Sequence, residues 1–301
     1  MHLAVLASGN SWYLNDLRRA AADRHRIDQV AFDGIRSHLN GGATQVHGAQ
    51  SNLADYSAVL VRTMPPGSLE QVVFRMDALA QVEATGTPVI NSARAIESAV
   101  DKYLALAKLR AVGLPIPPTA VCQSLDDAMD AFLALGGDVV VKPLFGGEGR
   151  GICRIADPDV AFRTFKALQQ INAVLYLQQY IDHEGCDLRL FVLGDEVWGI
   201  RRRNPSDWRT NVSRGAVAEP LDVTAELVDI AHRATRAVGA EIAGVDVLDG
   251  KDGRRWVLEV NAVPGWKALA EALDIDVATR VLTYIETRIE TTGVTTGASG
   301  N

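Results

Sequence analysis

Hydrophobic and polar positions alternate most cleanly in two short runs near the end of the chain. Gly244-Val245-Asp246-Val247-Leu248 and Trp256-Val257-Leu258-Glu259-Val260-Asn261 read as strands, and Asp249-Gly250-Lys251-Asp252-Gly253 between them is turn chemistry. The pair predicts a β-hairpin. Alternation puts Glu259 and Asn261 on one face and Trp256, Leu258 and Val260 on the other, with Asp246 in pairing range on the partner strand. Two carboxylates and an amide oxygen are therefore expected to converge. Hard cations such as Mg²⁺ take such oxygen ligands and leave phosphate oxygens and water to complete the shell. A solvated polar sheet face would show the same pattern, so the hairpin needs company elsewhere.

Upstream, residues 1–92 alternate strands and helices as an open α/β unit does. Strands are predicted near 2–7, 27–32, 58–62 and 89–91, and helices over 12–24, where Trp12, Leu14, Leu17 and Ala21 form a stripe, and over 69–83. Gly9 lacks the glycine spacing of a dinucleotide fold. The loop Arg62-Thr63-Met64-Pro65-Pro66-Gly67 follows a strand end, which makes it either a substrate loop or an ordinary Pro-Gly connection. One helix is expected over 92–112. The stiff exit Gly113-Leu114-Pro115-Ile116-Pro117-Pro118 reads as a domain boundary. Ser124 and Asp127 cap a helix to Leu135, and Gly136-Gly137 ends it.

A buried strand, Asp138-Val139-Val140-Val141-Lys142, then runs into Phe145-Gly146-Gly147-Glu148-Gly149-Arg150-Gly151. Glycines let backbone amides approach phosphate oxygens, and a lysine ending a run of valines needs a partner for its charge. The loop does not match the Walker pattern. After a helix over 157–170 comes the strand 174–181, whose end resembles a connector between lobes. A second hairpin, 187–193 with 196–203, turns at Gly194-Asp195 and ends on Arg201-Arg202-Arg203. Arg201 and Arg203 share one face and Arg202 the other; either a charged edge or a phosphate-directed face would explain them. Residues 204–215 form a polar loop, 225–238 a helix, and two further helices follow Pro264-Gly265. The small polar segment 291–301 reads as a disordered tail.

Composition bounds this picture. With 301 residues the chain suggests two or three subdomains, and 48% hydrophobic with 22% charged residues is ordinary globular material. A net charge of −7 argues against a general nucleic-acid or anionic-membrane surface, and no apolar run approaches the roughly 20 residues that span a bilayer. The first residues lack a basic signal-peptide start. Cys122, Cys153 and Cys186 are odd in number and lack metal spacing, so reduced thiols and a cytoplasmic location are expected.

Taken in order, Asp101-Lys102, Val140-Val141-Lys142, the glycine loop, Gln178-Gln179-Tyr180-Ile181, Asp187-Leu188-Arg189, the three arginines, Asn211, Asp246 and Glu259-Val260-Asn261 resemble the ATP-grasp superfamily. More narrowly, the chain is similar to the RimK-type α-L-glutamate ligases. The resemblance implies a mixed α/β and α+β architecture: a Rossmann-like pre-ATP-grasp domain over 1–92, a central lid lobe with a linker helix over 93–181, and a C-terminal lobe with the metal site over 182–290. The two α+β lobes would clasp ATP.

It also implies roles. Lys102 and Lys142 would hold ATP phosphates beneath a flap of Gly146, Gly147, Glu148, Gly149 and Gly151. Gln178, Gln179, Tyr180 and Ile181 would form the adenine hinge, and Asp187 would lie near the ribose. Asp246, Glu259 and Asn261 would bind two Mg²⁺, with Mn²⁺ as an alternative, and Arg203 and Asn211 would face the transferred phosphoryl group and the acyl phosphate. Gln179 stands where the family usually has Glu, and Val263, Trp266 and Lys267 depart where the substrate is expected.

The implied reaction is ATP-dependent joining of an amine, glutamate, to a carboxylate acceptor through an acyl phosphate. A tetrahydromethanopterin-type cofactor is favoured over a ribosomal S6 tail, and Trp266 would offer a stacking face. Arg62, Arg189 and Arg214 are the candidates for reading glutamate's carboxylates. No nucleic-acid or membrane partner is expected, and homo-oligomerisation is left open. The alternatives are a ligase for another amine, of lysine-biosynthesis or peptide-ligase type, and a non-catalytic ATP-binding regulatory module.

Overall fold

The computed structural model describes residues 1–41, 44–48, 51–147 and 149–297; the side chains of Ser213 and of 292–297 fall outside that description. The chain opens with β1 (His2–Leu6), α1 (Trp12–Ala21), β2 (Arg26–Val30), a small hairpin β3 (Arg36–Leu39) and β4 (Thr44–His47), β5 (Ala58–Val61), α2 (Leu69–Ala84) and β6 (Val89–Ile90). Four of these strands form a parallel sheet in the order β2-β1-β5-β6. Both faces of β1 are covered. Ala4 and Leu6 enter one core, Leu3 and Val5 the other, which is why the strand reads as a continuous apolar run.

The helix expected over 92–112 is two helices, α3 (Ala93–Val100) and α4 (Lys102–Ala111). Asp101 between them takes an extended backbone, and its carboxylate accepts from Leu104 N at 3.0 Å, capping α4. The break makes Lys102 the first residue of a new helix and redirects its side chain.

Next come β7 (Thr119–Cys122), α5 (Leu125–Ala134), β8 (Val139–Lys142), β9 (Cys153–Ile155), α6 (Pro158–Gln170) and β10 (Leu175–Gln179), an antiparallel sheet in the order β7-β10-β8-β9. Val139, Val141, Leu175 and Leu177 pack under α5 and α6 with Phe132 and Phe165. Alternation leaves Val140, Lys142 and Gln178 on the opposite face.

The third sheet, β13-β12-β11-β14-β15, is antiparallel and contains β11 (Cys186–Leu193), β12 (Glu196–Arg203), β13 (Val217–Pro220), β14 (Ile242–Asp249) and β15 (Arg255–Asn261). Leu188, Leu190, Val192, Val245 and Val247 face the same core as α7 (Ala225–Val238). The other face is apolar at one end, where Phe191, Ile200 and Ile242 meet Trp266, α8 (Lys267–Leu273) and α9 (Val277–Gly297). At its other end it is charged.

The expected disordered tail is corrected in part, because α9 continues through Gly297. Val281, Leu282 and Ile285 are buried on the core, and each further residue then adds a hydrogen bond at little cost. The Thr287 and Thr291 hydroxyls donate to the carbonyls of Thr283 and Thr287. Residues 298–301 lie outside the described residues. Among those described, no helix is long and apolar enough to cross a membrane, and all three cysteines are free thiols.

Candidate active site

The charged end of the third sheet is set by strand register. Asp187 pairs across from Arg202, Arg189 from Asp246, Asp246 from Glu259, and Gly244 from Asn261. These side chains fall on one face. A bulge after Asp246 leaves Val247 opposite Val257, so Leu258 is the extra residue. The expected alternation therefore fails at Leu258, which lines the same cavity as Glu259, while Val257 and Val260 are buried in the core.

Asp246 is held from two sides, by Arg189 Nη1 at 2.6 Å and Arg202 Nη2 at 3.1 Å. Burial alone would raise its pKa, but the two guanidinium groups, Arg189 ahead of Arg202, win and hold it below the ordinary carboxylate range. Arg189 lies flat under Gly244, where a Cβ would collide with its guanidinium. Glu259 differs. Among the described residues it makes no hydrogen bond or ion pair, and burial, then the Asp246 charge, push its pKa up against the pull of Lys102 and Lys142.

Opposite stands the face of the second sheet. Lys142 Nζ donates to Gln178 Oε1 at 2.6 Å, and Gln178 Nε2 donates to Thr119 Oγ1 at 3.0 Å. Gln178 thus steadies the lysine. Burial lowers Lys142 to about 8 although Glu259 opposes the shift. Lys102 Nζ donates to the carbonyl of Gly146. On the far side of the loop Arg214 Nη2 donates to Gly149 O at 3.1 Å. Gly149 has φ +70° and meets the Asn211 side chain where a Cβ would stand, so this close approach needs glycine. Gly151 packs on Pro143, and Gly147 faces a second cavity. Glu148 lies outside the described residues.

Between the two sheets is a cavity lined by Lys142, Gln178, Gln179, Tyr180, Ile181, Asp187, Asn211, Asp246 and Glu259. Apolar Val140, Ile152, Leu248 and Leu258 wall one part of it. Glu259 also borders the second cavity, together with Asn261, whose Oδ1 accepts from Val263 N at 2.9 Å.

Several expectations are corrected. Arg203 does not reach the cavity; its side chain is 43% exposed, with Glu219 at 3.6 Å. Arg202 takes the inward position, binding both oxygens of Asp187 at 2.7 and 2.5 Å. Asp187 therefore anchors Arg202 while it also lines the cavity. The clue to Arg202 was in the sequence: a two-residue turn at 194–195 sets Arg202 opposite Asp187.

Trp266 is 0% exposed and offers no stacking face to a ligand. Its Nε1 donates to Asp16, and the Arg62 guanidinium lies over its ring at 4.2 Å and over the Tyr13 ring at 5.0 Å. Arg62 donates to Pro264 O at 2.6 Å, and burial lowers it to about 10. It is thus a core cation and not a surface fork. Arg189 is committed to Asp246, which leaves Arg214 as the expected reader nearest the glycine loop.

Among the described residues no three His, Cys, Asp or Glu side chains form a metal cluster. The expected set uses an amide oxygen for its third donor. The two carboxylates stand directly opposite each other, about 4.5–5.5 Å apart at Cα in an antiparallel pair. One is unpartnered. That donor set fits a hard divalent cation whose remaining ligands come from phosphate.

Solved chains with the same architecture are ATP-grasp ligases. The ligase PsnB, complexed with its minimal precursor, superposes with a TM-score of 0.76 at 21% identity over 95% of this chain and 98% of that one. A RimK domain ATP-grasp protein from Sphaerobacter thermophilus gives a TM-score of 0.70 at 23% identity over 95% and 99%. The fold is the ATP-grasp fold. The family model described as the RimK-like ATP-grasp domain matches residues 99–285, and the chain belongs to that family. It is an ATP-dependent carbon–nitrogen ligase. Among its curated relatives are a tetrahydromethanopterin:alpha-L-glutamate ligase of Methanosarcina acetivorans, 33% identical over 86% of this chain and 88% of that protein, and a ribosomal protein bS6–L-glutamate ligase of Escherichia coli, 31% identical over 95% and 96%.

Proposed function

We propose that the chain joins the amino group of L-glutamate to a carboxylate acceptor, with ATP and Mg²⁺ held between the second and third sheets. The observation that carries this reading is the unpartnered Glu259 carboxylate facing Asp246, inside a cavity that Lys142 enters from the other sheet. Lys102 and Lys142 neutralise phosphate charge, the backbone of Gly146, Gly147, Gly149 and Gly151 covers it, and Gln179 to Ile181 with Val140, Ile152, Leu248 and Leu258 receive the base. Asp246, Glu259 and Asn261 hold the metal, which supplies charge neutralisation on the phosphates. Arg189 and Arg202 fix Asp246 so that its oxygens are positioned before substrate arrives.

In the reaction an acceptor carboxylate oxygen attacks the γ-phosphorus and ADP leaves. The glutamate nitrogen then attacks the acyl carbon of the resulting acyl phosphate, phosphate leaves, and an amide remains. Phosphoryl transfer asks for positioning and electrostatics, and that accounts for a site made of cations, carboxylates and backbone amides with no nucleophile. The two glutamate-ligase relatives support glutamate as the amine, and Arg214 is the arginine left to read it.

The test is Glu259→Gln, which keeps volume and removes metal charge. ADP release should fall by about 100-fold or more with unfolding unchanged. A variant with wild-type turnover would refute the metal assignment. Amino-acid profiling with mass analysis of the product decides the amine.

A further inference from the structure

The second cavity sits on the far side of Glu259 from the nucleotide cavity, and the two share that carboxylate as a common wall. It opens at the C-terminal end of the parallel sheet, where open α/β sheets receive ligands. Val61 ends β5 and Met64 follows it; Ile96, Ala99 and Val100 come from α3, and Val263 from the turn beyond β15. Its polar lining is Glu259, Asn261 and glycine backbone, and among the described residues no lysine or arginine contributes to it. The cation expected nearby, Arg62, is turned into the core between Trp266 and Tyr13. The volume is about 260 Å³. A cavity of roughly 150 Å³ accommodates benzene, so this one takes a ring with a short stem.

An anionic side chain entering this space would find no counter-charge and would face Glu259, a penalty that apolar walls cannot offset. The reacting carboxylate escapes that penalty by stopping beside Gly146 and Gly147, which line the wall and the first of which accepts from Lys102. We propose that this cavity is the acceptor subsite, shaped for an acid whose carboxyl is borne on an uncharged, apolar group of about aromatic-ring size, and not for an acidic peptide tail. The proposal rests on the ligase reading above and narrows its acceptor.

The experiment is equilibrium binding to the full chain saturated with Mg²⁺ and a non-hydrolysable ATP analogue. The two probes are 3-phenylpropionate and acetyl-Glu-Glu-Glu. Phenylpropionate should bind at least about tenfold more tightly than the peptide. Met64→Glu should weaken phenylpropionate by about tenfold or more, and Met64→Leu should stay within about threefold of the parent. Val100→Glu, at the end of α3, tests the same wall should Met64→Glu fail to fold. Equal or tighter binding of the peptide, no measurable binding of phenylpropionate, or binding indifferent to both charge insertions would overturn the subsite. The ligase reading fails by a separate readout, an ATP-analogue affinity that does not depend on Mg²⁺ or on Glu259.

Discussion

Asn91 sits just past the parallel sheet, far in sequence from the charged hairpin, and its amide uses every hydrogen-bonding position it has. It is 2% exposed. Its nitrogen donates to Ile242 O at 2.6 Å and Ala262 O at 2.5 Å, while its oxygen accepts from Glu241 N at 2.6 Å and Ile242 N at 2.9 Å. One side chain therefore ties the start of β14 to the residue after Asn261. Asn91→Asp keeps the shape but turns two donors into acceptors that face two carbonyls. Each stranded buried group costs about 1–3 kcal/mol, so the pair costs about 2–6 kcal/mol, with the upper part of that range expected because the new carboxylate is itself buried. The assay is urea unfolding, where the midpoint should drop with the slope unchanged. Functionally, the end of β15 carries both Glu259 and Asn261, so the Mg²⁺ concentration for half-maximal ADP release should rise in whatever fraction stays folded. An unfolding free energy within about 0.5 kcal/mol of the parent together with an unchanged Mg²⁺ requirement would refute the staple.

Three further outcomes follow from the same geometry. Arg202→Met leaves Asp187 buried without its partner and should cost about 3–5 kcal/mol; adding Asp187→Leu should recover much of it, and additive losses in the double-mutant cycle would show that the pair is not coupled. Gly244→Ala drives a methyl into the Arg189 guanidinium, a flexible end that can swing away, so the fold should survive while kcat/KM falls by about tenfold; unchanged kinetics would mean that Arg189 does not set Asp246. Arg19, foremost, holds the Asp276 carboxyl below its ordinary range, so the stability it adds is present above the unfolded carboxylate pKa and is lost as pH falls through the folded value. Because Asp276 is 44% exposed, Asp276→Asn should cost only about 0.2–1 kcal/mol near neutral pH, and the difference in melting temperature should vanish in acid; a gap that persists there would locate the effect elsewhere.

The local pattern determined the elements and much of the chemistry. Period-two alternation set both hairpins of the third sheet, apolar stripes and caps set the helices, and Lys142 at the end of three valines marked a charge in need of a partner. Register in the β11–β12 hairpin was also legible, because a two-residue turn allows only one pairing, and it selects Arg202 over Arg203. Contacts between distant segments decided the rest. The bulge that turns Leu258 toward the cavity depends on how β15 meets β14, and the start of α4 at the break is held from a distance, Lys102 N donating to Leu144 O at 3.3 Å. Trp266 and Arg62 look like surface chemistry in a linear reading, since nothing local says that Tyr13, Asp16 and Phe191 will close over them. Short-range periodicity reports which way a side chain leaves its own strand or helix. What it then meets is decided by packing between segments far apart in the chain, 250 residues in the case of Trp266 and Asp16.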